Sequence, residues 1–280
     1  MLLLQELERK ESCIYYGMER ENALAMGSEG TKAKRAGSLK EAVALAENLL
    51  FPIPFCKAGK LNLSRGEEVE VKDLCEYLQP GQRLFAGAVD QSLLESIRKK
   101  GVECLDYMQE ERIALYNTIA TAEGTIGEIL QTFPYNLHGT RVLLLGYGRC
   151  AKVLAEKLKA LGVRVSVYAR REEALMEAYV HGASTIKTKE PAEQLRDFPI
   201  VINTIPDRIF TEKDLEKMDK RTRVYEIASY PYCMDPKAAE KKGIAFRICA
   251  GLPGKYSPAS SAMILQEYIK KCSERKVYEF

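Results

Sequence analysis

The chain has 280 residues, 46% of them hydrophobic and 29% charged, a length that suits about two soluble domains. A net charge of +3 leaves no footprint for nucleic acid, and no apolar run approaches the roughly 20 residues of a membrane span, so neither partner is expected. "MLLLQELERKE" turns charged too early for a signal peptide, and eight cysteines without a C-x-x-C pair point to a reduced, cytoplasmic chain with no metal site.

Apolar strand-like runs alternate with helical patterns along most of the chain, the signature of α/β folding with parallel sheets. In the first part the runs are "CIYYG" (13–17), "NLLFPI" (48–53), "RLFAG" (83–87) and "VECLDY" (102–107). The segment "CKAGKLNLSRGEEVEVK" (56–72) breaks this rhythm with glycines and charges and reads as a loop or small hairpin on the rim. "TAEGTIGEILQTF" (121–133) follows as a candidate interdomain helix, with Thr121 as N-cap and Glu123 in its first turn. The expected architecture is two doubly wound parallel-sheet domains: an N-terminal one over 1–120 and, after the interdomain helix, a Rossmann domain to 257. A final helix, "SPASSAMILQEYIKK" (257–271), crosses back to the first domain, and residues 258–280 form this return.

The second part carries the clearest motif. "RVLLLG" runs into Gly146-x-Gly148-Arg149-x-Ala151, then a helix to Leu161, Gly162 and the strand "RVSVYA". Gly146 permits a tight turn, Gly148 lets the backbone approach a pyrophosphate, and Ala151 allows close helix–strand packing. The helix N-terminus, opening at Arg149, attracts the phosphate charge. Cys150, inside this turn, reads as a small residue suited to it rather than as an activated thiol.

The second strand of such a unit usually ends near an acid that holds the ribose 2′-hydroxyl. Here it ends in Tyr168-Ala169-Arg170-Arg171. Guanidinium groups at Arg170 and Arg171 suit a 2′-phosphate, which favours NADP and leaves NAD open; the same residues would also serve as a solvated strand end before Glu172 and Glu173. Later strands end in Asn203-Thr204-Ile205-Pro206, Ala228-Ser229-Tyr230-Pro231 and Gly251-Leu252-Pro253-Gly254. These small, glycine-rich and proline-fixed turns bring backbone groups to a nicotinamide ribose and amide, so Asn203 to Pro206, Ala228, Ser229, Gly251 and Pro253 join the cofactor candidates.

The stretches "IALYNTIATAEGTI" (113–126), "LHGTRVLLLGYGR" (137–149), "INTIP" (202–206), "AEKKGI" (239–244) and "GLPGKYSP" (251–258) resemble the family of dipicolinate synthase A subunits. With a fainter match through the first domain, the resemblance spans nearly the whole chain. It implies oxidation of a hydroxytetrahydrodipicolinate or dihydrodipicolinate-type precursor to pyridine-2,6-dicarboxylate, linked to a nicotinamide cofactor, in the mother cell of a sporulating bacterium. It further implies a partner, a flavoprotein-like B subunit; self-association of the chain is left open. Family members usually open with an extra apolar strand and a glycine turn before their first helix. This chain starts at "MLLLQELERKE", within that helix, so a truncated or mis-started first sheet lacking one strand is expected.

A 2-hydroxyacid dehydrogenase shares this plan but needs a histidine–carboxylate pair after the last strands. "AGLPGKYSPASSA" has no histidine; His138 precedes the first strand of the cofactor domain and His181 lies at a helix end. A reaction ending in an aromatic pyridine asks less of acid–base groups and more of positioning. The candidates to grip the substrate's carboxylates are Lys57 and Lys60 in the rim loop and the helix N-terminus at Thr121, with Asn117 and Thr118 nearby. Glu123 is the candidate proton acceptor and Asn117 a positioning hydrogen bond. The reading from a different class is a non-catalytic cofactor-binding scaffold for a flavoprotein.

Overall fold

The computed structural model describes residues 12–17, 33–63, 68–187 and 191–274, with Leu3, Leu4 and Leu7. They form an α/β protein with parallel sheets that divides into two compact units, residues 1–114 with 258–280 and residues 115–257.

In the first unit β1 (Ile14–Tyr15) pairs in parallel with β2 (Lys34–Arg35). After α1 (Leu39–Ala44) comes β3 (Asn48–Leu50), followed by the antiparallel hairpin β4 (Cys56–Lys57) and β5 (Lys60–Leu61). Then α2 (Val71–Tyr77), β6 (Arg83–Ala86), α3 (Gln91–Lys99) and β7 (Glu103–Asp106) complete a three-stranded parallel sheet in the order β3-β6-β7. Side chains alternate across it, as a strand requires. Leu49, Leu84, Ala86 and Cys104 pack with Val43, Leu74 and Ile97 of the helices on one face. Phe85, with Leu50 and Leu105, packs on the other against Tyr107, Ile264 and Tyr268, the last two from the C-terminal helix Pro258–Ser273.

The helix expected to begin at Thr121 is α4 (Glu111–Thr132), ten residues longer at its start. Nothing in 111–120 breaks a helix. The threonines are accommodated by folding their hydroxyls onto carbonyls one turn back: Thr118 onto Leu115 at 2.6 Å, Thr125 onto Thr121 and Thr132 onto Glu128, each at 2.7 Å. Thr121 is therefore not an N-cap, Glu123 is not in a first turn, and no helix N-terminus exists there to receive a substrate carboxylate. The chain enters α4 through a 3₁₀ turn, Tyr107–Gln109, in which buried Asp106 accepts Met108 N–H at 2.7 Å.

The second unit continues through β8 (Arg141–Leu145), α5 (Arg149–Ala160), β9 (Arg164–Tyr168), α6 (Glu172–Val180) and β10 (Ser184–Ile186). It goes on through β11 (Ile200–Asn203), α7 (Glu212–Leu215), β12 (Arg223–Glu226), α8 (Pro236–Lys241), β13 (Ala245–Ile248) and α9 (Leu252–Tyr256). The six strands form one parallel sheet, β10-β9-β8-β11-β12-β13, whose order reverses between β8 and β11. A dinucleotide binds outside the strand ends at such a reversal. Val142, Leu144, Val165, Val167 and Ile202 fill one face with α4 and α5 residues; Leu143, Leu145, Val201 and Val224 fill the other with Leu215, Ala238 and Ala239. The three-residue β10 is the one strand of this sheet that the apolar runs did not announce.

Candidate functional site

The turn after β8 has the geometry that the glycine spacing predicts. Gly146 has φ +94°, and a Cβ there would lie 2.4 Å from Thr204 Oγ1 and 2.9 Å from Ile205 Cγ1, so only glycine fits. At Gly148, the N-cap of α5, a Cβ would meet nothing within 4 Å, which leaves its backbone open to a phosphate. Ala151 is fully buried against the sheet. The residues present fit a dinucleotide: Gly146, Gly148 and Arg149 would hold the pyrophosphate, with Thr204 and Ile205 supporting the turn from below.

The end of β9 differs in one respect from expectation. The strand end itself, Tyr168-Ala169-Arg170-Arg171, carries no acid in sequence, but the fold brings one from the β11 loop: Asp207 Oδ2 accepts from Arg170 Nη1 at 2.9 Å, both side chains more than half exposed. Arg171 is the exposed N-cap of α6.

At the carboxyl ends of β12 and β13 lies a pocket of about 240 Å³, lined by 227–230, Tyr232, 248–253 and Thr121. Ala228, Ser229, Gly251 and Pro253 thus share one cavity, and Thr121 joins them from the middle of α4. Asn117, half-buried, stands one turn before Thr121, and Gly124 and Glu128 follow on that face of the helix. Tyr230 and Tyr232 meet edge-on at 5.6 Å on the wall. Neither a histidine nor a carboxylate lines this pocket.

Glu123 falls elsewhere. Two residues beyond Thr121 it points roughly 200° around the helix, where its half-exposed carboxylate accepts from Lys157 Nζ of α5 at 2.8 Å. Thr118 is buried with its hydroxyl committed to Leu115. Lys57 and Lys60 belong to the β4–β5 hairpin of the first unit, tied to the carboxyl end of β6 by Phe55 N–H donating to Gly87 O at 2.8 Å. Lys57 is exposed and Lys60 pairs with Glu68; residues 64–67 of this rim segment lie outside the described residues. Exposed His181 stands 3.4 Å from Tyr147 Oη, and exposed His138 packs under Gly162; neither borders the pocket.

Besides Asp106, two buried carboxylates went unnoticed in the sequence: the partners of Glu128 are remote in the chain, and Glu226 meets Asn203 only once β11 and β12 pair. Glu128 accepts from Arg247 Nε at 2.6 Å, from Tyr256 Oη at 2.9 Å and from Lys255 Nζ. Burial pushes its carboxyl up, but these three donors together hold it down at about 2. Tyr256 in turn lies on Gly124 and Gly127, where a Cβ would approach its ring to 2.9 and 2.7 Å. Glu226, wholly buried at the end of β12, sits in register with Asn203 of β11. Its Oε1 accepts from Asn203 Nδ2 at 2.7 Å and Ala228 N–H at 3.1 Å, and its Oε2 from Cys233 N–H at 2.8 Å. Burial pushes this carboxyl above its ordinary range despite those bonds. Among the described residues no group of three or more His, Cys, Asp or Glu is placed to hold a metal, and no helix is long and apolar enough to cross a membrane.

Residues 108–228 match the family model of the D-isomer specific 2-hydroxyacid dehydrogenase NAD-binding domain, so the second unit binds a nicotinamide dinucleotide. The chain is 34% identical over 206 residues, 73% of its length and 69% of the relative's, to the dipicolinate synthase A subunit of Bacillus subtilis (strain 168). The crystal structure of the dipicolinate synthase A subunit from Bacillus halodurans superposes with a TM-score of 0.82 at 27% identity, covering 98% of this chain and 94% of that one. The A chain of dipicolinate synthase from Bacillus subtilis gives 0.78 at 27% identity, covering 97% and 91%. With the glycine turn, the reversed sheet order and these likenesses in agreement, the chain belongs to the family of dipicolinate synthase A subunits.

Proposed function

We propose that this chain oxidises a dihydrodipicolinate-type precursor, formed from hydroxytetrahydrodipicolinate by loss of water, to pyridine-2,6-dicarboxylate during sporulation. The observation that carries this reading is the pocket at the ends of β12 and β13, which presents hydroxyl, backbone and aromatic groups but no histidine and no carboxylate. A 2-hydroxyacid dehydrogenase needs an acid–base pair there; a reaction that ends in an aromatic ring is driven largely by that ring. When bound, the nicotinamide ring supplies the hydride acceptor. The chain's own residues bind and orient: Ala228, Ser229, Gly251 and Pro253 shape the nicotinamide side, while Asn117 and Thr121 offer hydrogen bonds to the substrate. Lys57 and Lys60, on the first unit's hairpin, are proposed to bind a carboxylate, Lys60 by exchanging its exposed pairing to Glu68.

NADP is the proposed form of the cofactor. The exposed Arg170–Asp207 pair contributes about 0–1 kcal/mol, less than the roughly 1.5–3 kcal/mol of a charged hydrogen bond to a 2′-phosphate. A flavoprotein-like B subunit is the proposed partner, and the mother-cell cytoplasm the proposed location. The test supplies freshly generated hydroxytetrahydrodipicolinate with NAD or NADP, with and without the B-type partner, and follows reduced nicotinamide. Turnover by the wild type but not by Gly146→Ala supports the reading. Cofactor binding without turnover, with or without the partner, would instead leave the chain as a scaffold.

A further inference from the structure

Glu226 is wholly buried on the strand face that also presents Val224, which with Val201 of β11 and Cys233 belongs to an apolar cluster. A carboxylate in that setting is retained against a large desolvation cost. Its hydrogen-bond partners are all donors: Asn203 Nδ2 and the Ala228 and Cys233 N–H groups. The set matches an ionised carboxylate and no other side chain, since an amide would turn an NH₂ group toward a donor. The donors come from two stretches of the cleft, the end of β11 and the two ends of the 227–233 loop. Asn203 also clasps the β11 loop, donating to Ile205 O at 2.8 Å and accepting Ile205 N–H at 3.1 Å, and Ile205 with Thr204 underlies Gly146. Ala228 lines the pocket. Cys233 anchors the far end of the 227–233 loop, its carbonyl accepting from Ile209 and Phe210 N–H at 2.9 and 2.8 Å.

We infer that Glu226 is the positioning residue of the dinucleotide cleft, clamping the pocket-lining 227–233 loop to the Asn203–Ile205 loop so that the nicotinamide end is held in register with the phosphate turn. Thr204 reaches Leu145 O through its own N–H and hydroxyl, at 2.9 and 2.8 Å, so the phosphate turn keeps its support without Glu226. The clamp therefore acts on the nicotinamide side. This inference rests on the reading that the carboxyl edge of the second unit holds the dinucleotide.

The test measures dissociation constants for NADH, NADPH and ADP-ribose, the last sharing every part of NADH except the nicotinamide ring, with wild type and Glu226→Gln. The variant should weaken the preferred dinucleotide about tenfold and ADP-ribose by less than about threefold, the split expected when positioning hydrogen bonds at one end are lost. Should Glu226→Gln fail to fold, Asn203→Ser removes the Nδ2 donor to Glu226 together with both Asn203 bonds to Ile205, and should give the same split because Thr204 still holds the phosphate turn through Leu145 O. Equal losses for dinucleotide and ADP-ribose would make Glu226 a merely structural group, and an unchanged dinucleotide constant in a folded variant would overturn the clamp. A wild type that binds ADP-ribose, NADH and NADPH not at all would overturn the dinucleotide reading itself, and the clamp with it.

Discussion

Replacing Gly127 by alanine sets two effects of opposite sign against each other. In the middle of a long helix, alanine is favoured over glycine by about 1 kcal/mol. The new Cβ, however, would stand 2.7 Å from Tyr256 Cε1, 3.2 Å from Cδ1 and 3.3 Å from Cζ. Ordinary carbon contacts lie at about 3.5–4.0 Å, so the ring must retreat by roughly 1 Å. That displacement takes its hydroxyl, now 2.9 Å from Glu128 Oε1, out of hydrogen-bonding range. Losing a hydrogen bond to a charged group costs about 1.5–3 kcal/mol and overpacking about 1–3 kcal/mol. Partial relaxation of the ring brings the net to about 1–3 kcal/mol of destabilisation after the helical gain is subtracted. Denaturant unfolding of Gly127→Ala in two backgrounds measures this. In wild type the change should destabilise; in Tyr256→Ala, with the obstacle gone, it should stabilise by about 1 kcal/mol. A stabilising Gly127→Ala in the wild-type background would refute the packing of Tyr256 on α4.

Arg170→Asp combined with Arg171→Ala should shift preference from NADP toward NAD, with about 1–3 kcal/mol lost for each charged hydrogen bond to the 2′-phosphate; an unchanged ratio of the two dissociation constants would leave both arginines as surface charge. Glu123→Gln should keep turnover within about twofold of wild type, since its role here is an exposed ion pair with Lys157. A large fall in turnover at unchanged cofactor affinity would reinstate Glu123 as proton acceptor. Glu128→Gln should cost on the order of 1–3 kcal/mol near neutral pH. Because the folded carboxyl is held below its unfolded value, at about 2, the stability difference from wild type should be full above the ordinary carboxylate range and shrink as pH falls toward 2. A difference that grows on acidification would contradict the assignment.

What could be read in the sequence was local. The Gly146–Gly148 turn needs only neighbouring residues to declare itself, since backbone conformation and the start of α5 are set within a few positions. The buried parallel strands announce themselves as apolar runs, except β10, whose three residues are too few to show a pattern. The start of α4 misled because Thr121 followed by Glu123 looks like a cap, whereas the helix already begins at Glu111, just after the 3₁₀ turn that Asp106 caps. Glu128 and Glu226 look like ordinary charges until their partners are known, and Arg247 lies 119 residues from Glu128. Asp207 reaches Arg170 from 37 residues away, so the acid absent from the end of β9 in sequence is supplied there by the fold. Thr121 reached the pocket, though from mid-helix and not from a helix end.

The most direct measurement of the central claim is the stoichiometry of one quenched reaction, with reduced nicotinamide and pyridine-2,6-dicarboxylate quantified together. Loss of water from the hydroxylated precursor followed by removal of a hydride and a proton predicts equal amounts of the two, with no product when the dinucleotide is omitted. Pyridine-2,6-dicarboxylate formed without reduced nicotinamide, or no product at all from a cofactor-saturated chain with its partner present, would contradict the account.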